Sequence, residues 1–185
     1  DGPPAERDAN GRGGVIDLLA DPPPASRDPR ISGEAMAASP WASDYFAELD
    51  ALRYEYVPYI GAQELPTRGR FFNTADGVRR SYVPEGADTA TVPEVWFFGG
   101  SALWGEGQRD LHTIPSEVAR QAERDGVALR AVNFGGRGQT AFQAMLAFER
   151  ALAHRPTPDL VVFYDGFNEL STQLETPEGL GPQPT

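Results

Sequence analysis

The sequence predicts an α/β fold built on a parallel sheet, on three observations. Short apolar runs, Val95–Phe98, Val127–Val132 and Leu160–Tyr164, start about thirty residues apart, the size of a strand–helix–strand unit. The stretches between them carry helix start and stop signals. Each run ends in a glycine-bearing turn with a polar residue, and ligands in such sheets bind beyond the carboxyl ends of the strands.

Residues 1–40 read as a low-complexity leader or linker, because Pro3-Pro4, the glycines from Gly11 to Gly14 and Pro22-Pro23-Pro24 break any periodicity. Only Val15–Leu19 looks adhesive enough to dock on a domain. Residues 41–92 form a helical and hairpin lead-in or cap. Ser43 and Asp44 are candidate N-caps, and Tyr45, Leu49, Leu52 and Tyr56 fall on one helical face. Asp76-Gly77 between the extended runs Phe71–Asn73 and Val78–Val83 is a hairpin signal. The aromatics here either line a substrate groove or pack against the sheet, the usual meaning of an aromatic stripe.

Residues 93–170 carry the main domain. Val95–Phe98 fits a strand buried on both faces. Thr113 caps a helix with Pro115 in its first turn, Ile114, Val118 and Ala122 share one face of it, and Gly126 stops it. Thr140 and Gln143 form a capping box, and the helix they open is expected to bury Phe142, Met145, Leu146 and Leu152. Pro156 and Pro158 end it. Residues 171–185 read as a loop.

Composition removes several function classes. The net charge of -11 repels nucleic acid and anionic lipid heads. All 16 basic residues are Arg, so a Walker-type phosphate loop and Schiff-base chemistry lack their lysine. With no Cys, disulfides, cysteine zinc sites and thiol catalysis are out. No run reaches the length of a membrane span and no signal peptide is visible. The first residue is Asp1, which reads as a processed form that has lost a leader or anchor.

The three strand ends carry the chemistry: Gly99-Gly100-Ser101, then Asn133 to Thr140, then Asp165-Gly166-Phe167-Asn168-Glu169. A serine at a strand-to-helix turn presents its hydroxyl above the sheet edge. Acyl transfer needs that nucleophile beside donors aimed at the developing oxyanion. A glycine amide suits one donor and a neutral, directional Asn carboxamide another. Arg137 stands near this edge as a substrate-orienting candidate, as does Arg109-Asp110; a solvated ion pair is the other fate of such residues.

Over about residues 93–170 the sequence resembles the SGNH hydrolases, the GDSL-type esterases, in a surface-associated or membrane-tethered bacterial branch. Ser101, Gly138 and Asn168 match the first three signature blocks in order. The family's Gly-Asp-Ser is Gly99-Gly100-Ser101 here. Gly138 fits the second block, with Gly135 and Gly136 as competitors. The family's Gly-x-Asn-Asp is Gly166-Phe167-Asn168-Glu169, and Glu169 receives no catalytic role. The resemblance implies a flavodoxin-like three-layer fold, of which this chain holds the first three strands. It implies a serine esterase acting on small acyl esters, such as O-acetyl groups of a carbohydrate or cell-surface polymer. Ser101 is then the nucleophile, with Ser101, Gly138 and Asn168 as the oxyanion hole and Gly100 and Arg137 against substrate. No cofactor or metal is implied. The location implied is extracytoplasmic or membrane-anchored.

A serine nucleophile needs a base, which the family supplies from a late Asp-x-x-His block. The chain's two histidines are His112 and His154, and neither stands in such a block. His154 precedes the third strand, at the wrong end of the sheet. His112 follows Ser101 on the correct side, where a surface or loop role is the commoner one. The expectation is a missing carboxy-terminal half or second chain that completes the fold. Other readings are an acyltransferase, and a non-catalytic glycan-binding or structural module on the same scaffold. A dinucleotide-binding protein fits less well: the first loop lacks Gly-x-Gly-x-x-Gly and the second strand ends on Asn133, not an acid.

Overall fold

The computed structural model describes residues 29–31, 36, 38–85, 87 and 91–175. The chain divides into two compact units, residues 1–43 and 44–185. Of the first, Pro29–Ile31 form a 3-10 turn; Val15–Leu19 and most of the 1–40 leader lie outside the described residues.

The second unit is a mixed α/β structure. Helix α1 (Ala42–Asp50) leads to an antiparallel hairpin of β1 (Tyr54–Val57) and β2 (Gly61–Glu64). Three short strands follow: β3 (Thr67–Arg68), β4 (Asn73–Ala75) and β5 (Val78–Arg79). Then come β6 (Glu94–Gly99), α2 (Ser101–Trp104), α3 (Ile114–Arg124), β7 (Arg130–Asn133), α4 (Ala141–His154), β8 (Leu160–Tyr164) and α5 (Phe167–Glu175). Six strands form one sheet in the order β3-β4-β5-β7-β6-β8. The three long strands are parallel to one another, as the apolar runs predict. The sheet as a whole is mixed, because β3, β4 and β5 extend it in antiparallel pairing. Asp76 and Gly77 make the β4–β5 turn with φ of 51° and 71°, the doubly positive geometry a two-residue hairpin requires.

Strand β6 is central, and its alternation divides the core. Val95 and Phe97 join Leu103, Ala119 and Ala131 on one face. Trp96 and Phe98 join Phe134, Ala144 and Ala151 on the other. Helices α3 and α4 therefore cover opposite faces, the arrangement a strand buried on both sides demands. Tyr45, Phe71, Phe72 and Trp104 form a further buried aromatic group, with the Phe72 and Trp104 rings stacked 5.4 Å apart. These lead-in aromatics pack; Tyr54, Tyr56 and Tyr59 are exposed.

Several local expectations are corrected. Tyr56 sits on β1, not on a helical face with Tyr45, because α1 ends at Asp50. Strand β7 starts at Arg130, not Val127. The Val127 N–H closes on the Ala122 carbonyl and that of Gly126 on Glu123, a Schellman cap that uses Val127 to end α3. Thr113 occupies the N-cap position of α3 without capping it; its hydroxyl meets the Asp110 carbonyl and the Ser116 hydroxyl. Helix α3 buries Pro115, Ser116 and Ala119 and exposes Ile114 and Val118. The Ser116 hydroxyl bonds the Asp110 carbonyl and the Tyr82 N–H, which turns that stripe inward. Helix α4 opens with the expected Thr140–Gln143 capping box. It lays Ala144, Ala147, Phe148 and Ala151 on the sheet and leaves Phe142, Met145 and Leu152 exposed. Small residues let the helix approach a face already filled by Trp96, Phe98 and Phe134. Residues 171–175, read as loop, continue α5; 176–185 lie outside the described residues.

Candidate active site

The chain leaves central β6 for β7 on one side and β8 on the other. Such a reversal opens a crevice at the carboxyl ends of the strands. Ser101 stands there, half-buried, as the first residue of α2 directly after β6.

Gly100 marks the closest approach. A Cβ at this position would stand 2.6 Å from Asn168 Nδ2 and 3.2 Å from the Gln139 carbonyl. A side chain at this position would therefore have to displace the Asn168 carboxamide. Asn168, in the first turn of α5, donates from Nδ2 to the Gln139 carbonyl at 2.6 Å. A carboxamide nitrogen carries two N–H groups, so one remains for a further acceptor. Hydrogen bonds join all three strand-end loops: Gly136 N–H to the Gly99 carbonyl, Asn168 Nδ2 to the Gln139 carbonyl, and Gly100 N–H to the Asp165 carboxylate.

Hydrogen bonding separates the three glycines of the middle loop. Gly135 N–H donates to Asn133 Oδ1 at 2.9 Å and Gly136 N–H to the Gly99 carbonyl at 2.9 Å. Gly138, at φ 72°, has no partner for its amide among the described residues, and the space where its side chain would stand is open. Fully buried Asn133 ties this loop to α2, with Nδ2 placed 3.4 Å from the Leu103 carbonyl and 3.3 Å from that of Trp104.

Two carboxylates flank the cluster. Asp165, at the end of β8, accepts from the Gly100 N–H. Burial, helped by the Glu169 carboxylate, raises its pKa to about 6 against the pull of that hydrogen bond. Glu169 accepts from the N–H groups of Ala141 and Gly166. It binds the start of α4 to the start of α5, a structural task that suits its lack of an assigned catalytic role.

The remaining candidates lie elsewhere. Arg137 grips Glu106 through two hydrogen bonds of 3.1 and 3.0 Å and Tyr54 Oη through one of 2.8 Å. That arrangement clamps the loop after α2 onto β1. His112 pairs with Glu117 at 3.3 Å, and His154 Nδ1 lies 2.8 Å from the Arg150 carbonyl. Neither contact includes the Ser101 cluster. Asp110 is buried against Arg79, at 2.9 Å.

Arg79 is the residue the sequence reading missed. Fully buried, it donates to Asp110, to the carbonyls of Trp104, Gly105 and Gln108, and lies over the Phe72 and Trp104 rings. It thereby holds the loop that follows α2. Its one sequence signal was an arginine in an inward strand position of the Asp76-Gly77 hairpin. Asp165 was passed over because it ends an apolar run as an ordinary turn residue.

Among the described residues no helix is long and apolar enough to cross a membrane. No family model matches the sequence, and no curated protein does. Among solved structures the chain is similar to AlinE4, an SGNH-hydrolase family esterase, at a TM-score of 0.42 and 22% identity over 46% of each chain. Two mutants of the same esterase, a serine-to-alanine and an aspartate-to-alanine form, match at the same score with 21% and 22% identity. The chain thus spans about half the length of the solved structures it resembles.

Proposed function

We propose that the chain carries the nucleophile and oxyanion-hole half of an SGNH-type serine esterase on a flavodoxin-like sheet, acting on small acyl esters such as O-acetyl groups of a carbohydrate. The observation that supports this is the Asn168 carboxamide, set against Gly100 and bonded to the Gln139 carbonyl, the residues next to Ser101 and Gly138 in the sequence. In the proposed reaction the Ser101 hydroxyl attacks the acyl carbon while a base takes its proton. The backbone N–H groups of Ser101 and Gly138 and the second N–H of Asn168 receive the oxyanion. The intermediate collapses, the alcohol leaves with a proton, and an acyl-serine remains. Water then releases the acid; a sugar hydroxyl in its place would make the enzyme a transferase.

The base is assigned to a completing carboxy-terminal half or second chain, since both histidines here are engaged away from the cluster. The location proposed with it is extracytoplasmic or membrane-anchored. The same two histidine contacts favour the second reading, a glycan-binding module on this scaffold.

Labelling of the parent protein with a fluorophosphonate probe tests the proposal. The expected outcome is covalent labelling at Ser101, lost in Ser101→Ala and slowed about 10²–10³-fold in Asn168→Ala, the effect of removing one oxyanion donor. A parent protein that stays unlabelled gives the binding-module reading the field.

A further inference from the structure

Three arginines without a counter-charge share one concavity. Arg68, Arg80 and Arg155 line a groove of about 430 Å³ walled by β3, β4, β5 and the end of α4, within the range of small-molecule sites. None of the three forms an ion pair among the described residues, whereas Arg70, Arg79, Arg120, Arg130 and Arg137 each hold a carboxylate. Acidic residues outnumber basic ones by 27 to 16 in this chain. A groove that gathers three guanidinium groups and one acid, Asp76, therefore runs against the charge of the rest of the molecule.

The fold brings the three together from separate elements. Arg68 on β3 pairs in register with Asn73 on β4. The Arg80 N–H, just past β5, donates to the Asn73 carbonyl at 2.8 Å. Arg68 and Arg80 thus flank Asn73 at two strand spacings, about 10 Å between Cα atoms, a gap that two arginine side chains can close on one anion. Arg155 is the C-cap residue of α4, and its guanidinium lies 5.3 Å over the Phe134 ring, a contact that holds it in place. Like charges gathered on one sheet repel, and an anion seated among them removes that cost.

The donor set specifies the ligand. A guanidinium group carries no acceptor and presents forked N–H pairs that match the oxygens of a carboxylate or phosphate. A carboxylate offers two oxygens, too few for three forks, whereas a phosphate or sulfate group offers three or four. The net charge of -11 sets the other limit. It repels a long polyanion, while one small group within a Debye length of three cations, about 10 Å, is governed by them.

We propose that this groove binds one tetrahedral oxyanion, the phosphate or sulfate group of a small ligand, through Arg68, Arg80 and Arg155. None of Ser101, Gly138 or Asn168 lines it, so it stands or falls separately from the esterase proposal.

Thermal melting of the 185-residue chain at low micromolar concentration is the test, with sodium phosphate, sulfate or acetate each set against NaCl of equal ionic strength. Phosphate and sulfate also stabilise proteins by exclusion from the surface. The quantity read is therefore the Tm rise of the chain less that of the variant carrying Arg68→Gln, Arg80→Gln and Arg155→Gln together. At about 50 mM, phosphate or sulfate should give a difference of about 3–5 °C, as a dissociation constant of about 5 mM implies. Acetate should give less than about 1 °C. Each single glutamine variant should lose about a third or more of the rise, and Asn168→Ala none of it. A larger effect of phosphate marks a phosphoryl ligand, and a larger effect of sulfate a sulfate ester. Four results would each overturn the proposal: a difference under about 1 °C for both tetrahedral anions, an acetate effect as large as theirs, single variants that all keep the full rise, or its loss in Asn168→Ala, which would put the anion at the Ser101 cluster.

Discussion

At Gly100 the peptide N–H points to the Asp165 carboxylate while the Cα faces Asn168. A single residue thus links two of the three strand-end loops. The Asp165 group carries a measurable signature. Its folded pKa of about 6 lies above the ordinary 3.8, so the folded chain holds that proton more tightly than the unfolded chain. Stability therefore falls as pH rises from about 4 to about 6. Asp165→Asn should remove this component. Urea denaturation of both proteins at intervals from pH 4 to pH 7 checks it; parallel curves would show that the carboxylate does not sense Glu169 and burial as described. At this scale much of the candidate site was legible. Ser101 and Asn168 each follow an apolar run directly, so their position relative to the sheet edge is set by local chemistry. Gly138 was also the sequence's choice, on its match to the second block; what the sequence does not show is that the Gly135 and Gly136 amides are taken by Asn133 and Gly99.

Elements show where local signals suffice. The Thr140–Gln143 box opens α4 as read, because both partners lie within one helical turn. The Val127 boundary was missed because a Schellman cap competes with the strand for the same amide. Helix faces were misassigned for a different reason: periodicity identifies an apolar stripe, but α4 seats its alanines and leaves Phe142 63% exposed. Arg79 donates to the Trp104, Gly105 and Gln108 carbonyls at the end of α2 and in the loop after it. Arg79→Met should cost about 3–5 kcal/mol, because it leaves the buried Asp110 carboxylate without its counter-charge and with only Asn73 Nδ2 as a side-chain donor. Adding Asp110→Leu should recover part of that loss. Urea midpoints of the single and double variants measure both, and a double variant less stable than the single one would refute the buried-pair account.

The whole second unit has an unfinished side. Edge strand β8 exposes Leu160, Phe163 and Tyr164, and α5 exposes Phe167, Leu170 and Leu174 at helical spacing. Contiguous apolar surface beside a strand edge that has no partner strand among the described residues invites pairing with another segment. We therefore expect the 185-residue chain to self-associate in sedimentation velocity at tens of micromolar, roughly the range where such surfaces meet. Leu170→Glu with Leu174→Glu should shift it toward monomer. A chain that stays monomeric in the unchanged form would show that this surface needs no cover.

The sequence by itself determined the three parallel strands, the turn chemistry between them and the polar residue that each strand end presents. Those features follow from contiguous residues, whose hydrogen bonds and periodicity are local. Tertiary structure alone decided that β3, β4 and β5 join the same sheet, that Arg79 is its buried cation, and that Asn168 closes on Gly100 and Gln139. Each of these joins residues tens of positions apart, and no local propensity encodes which distant carbonyl or amide will be left to receive them.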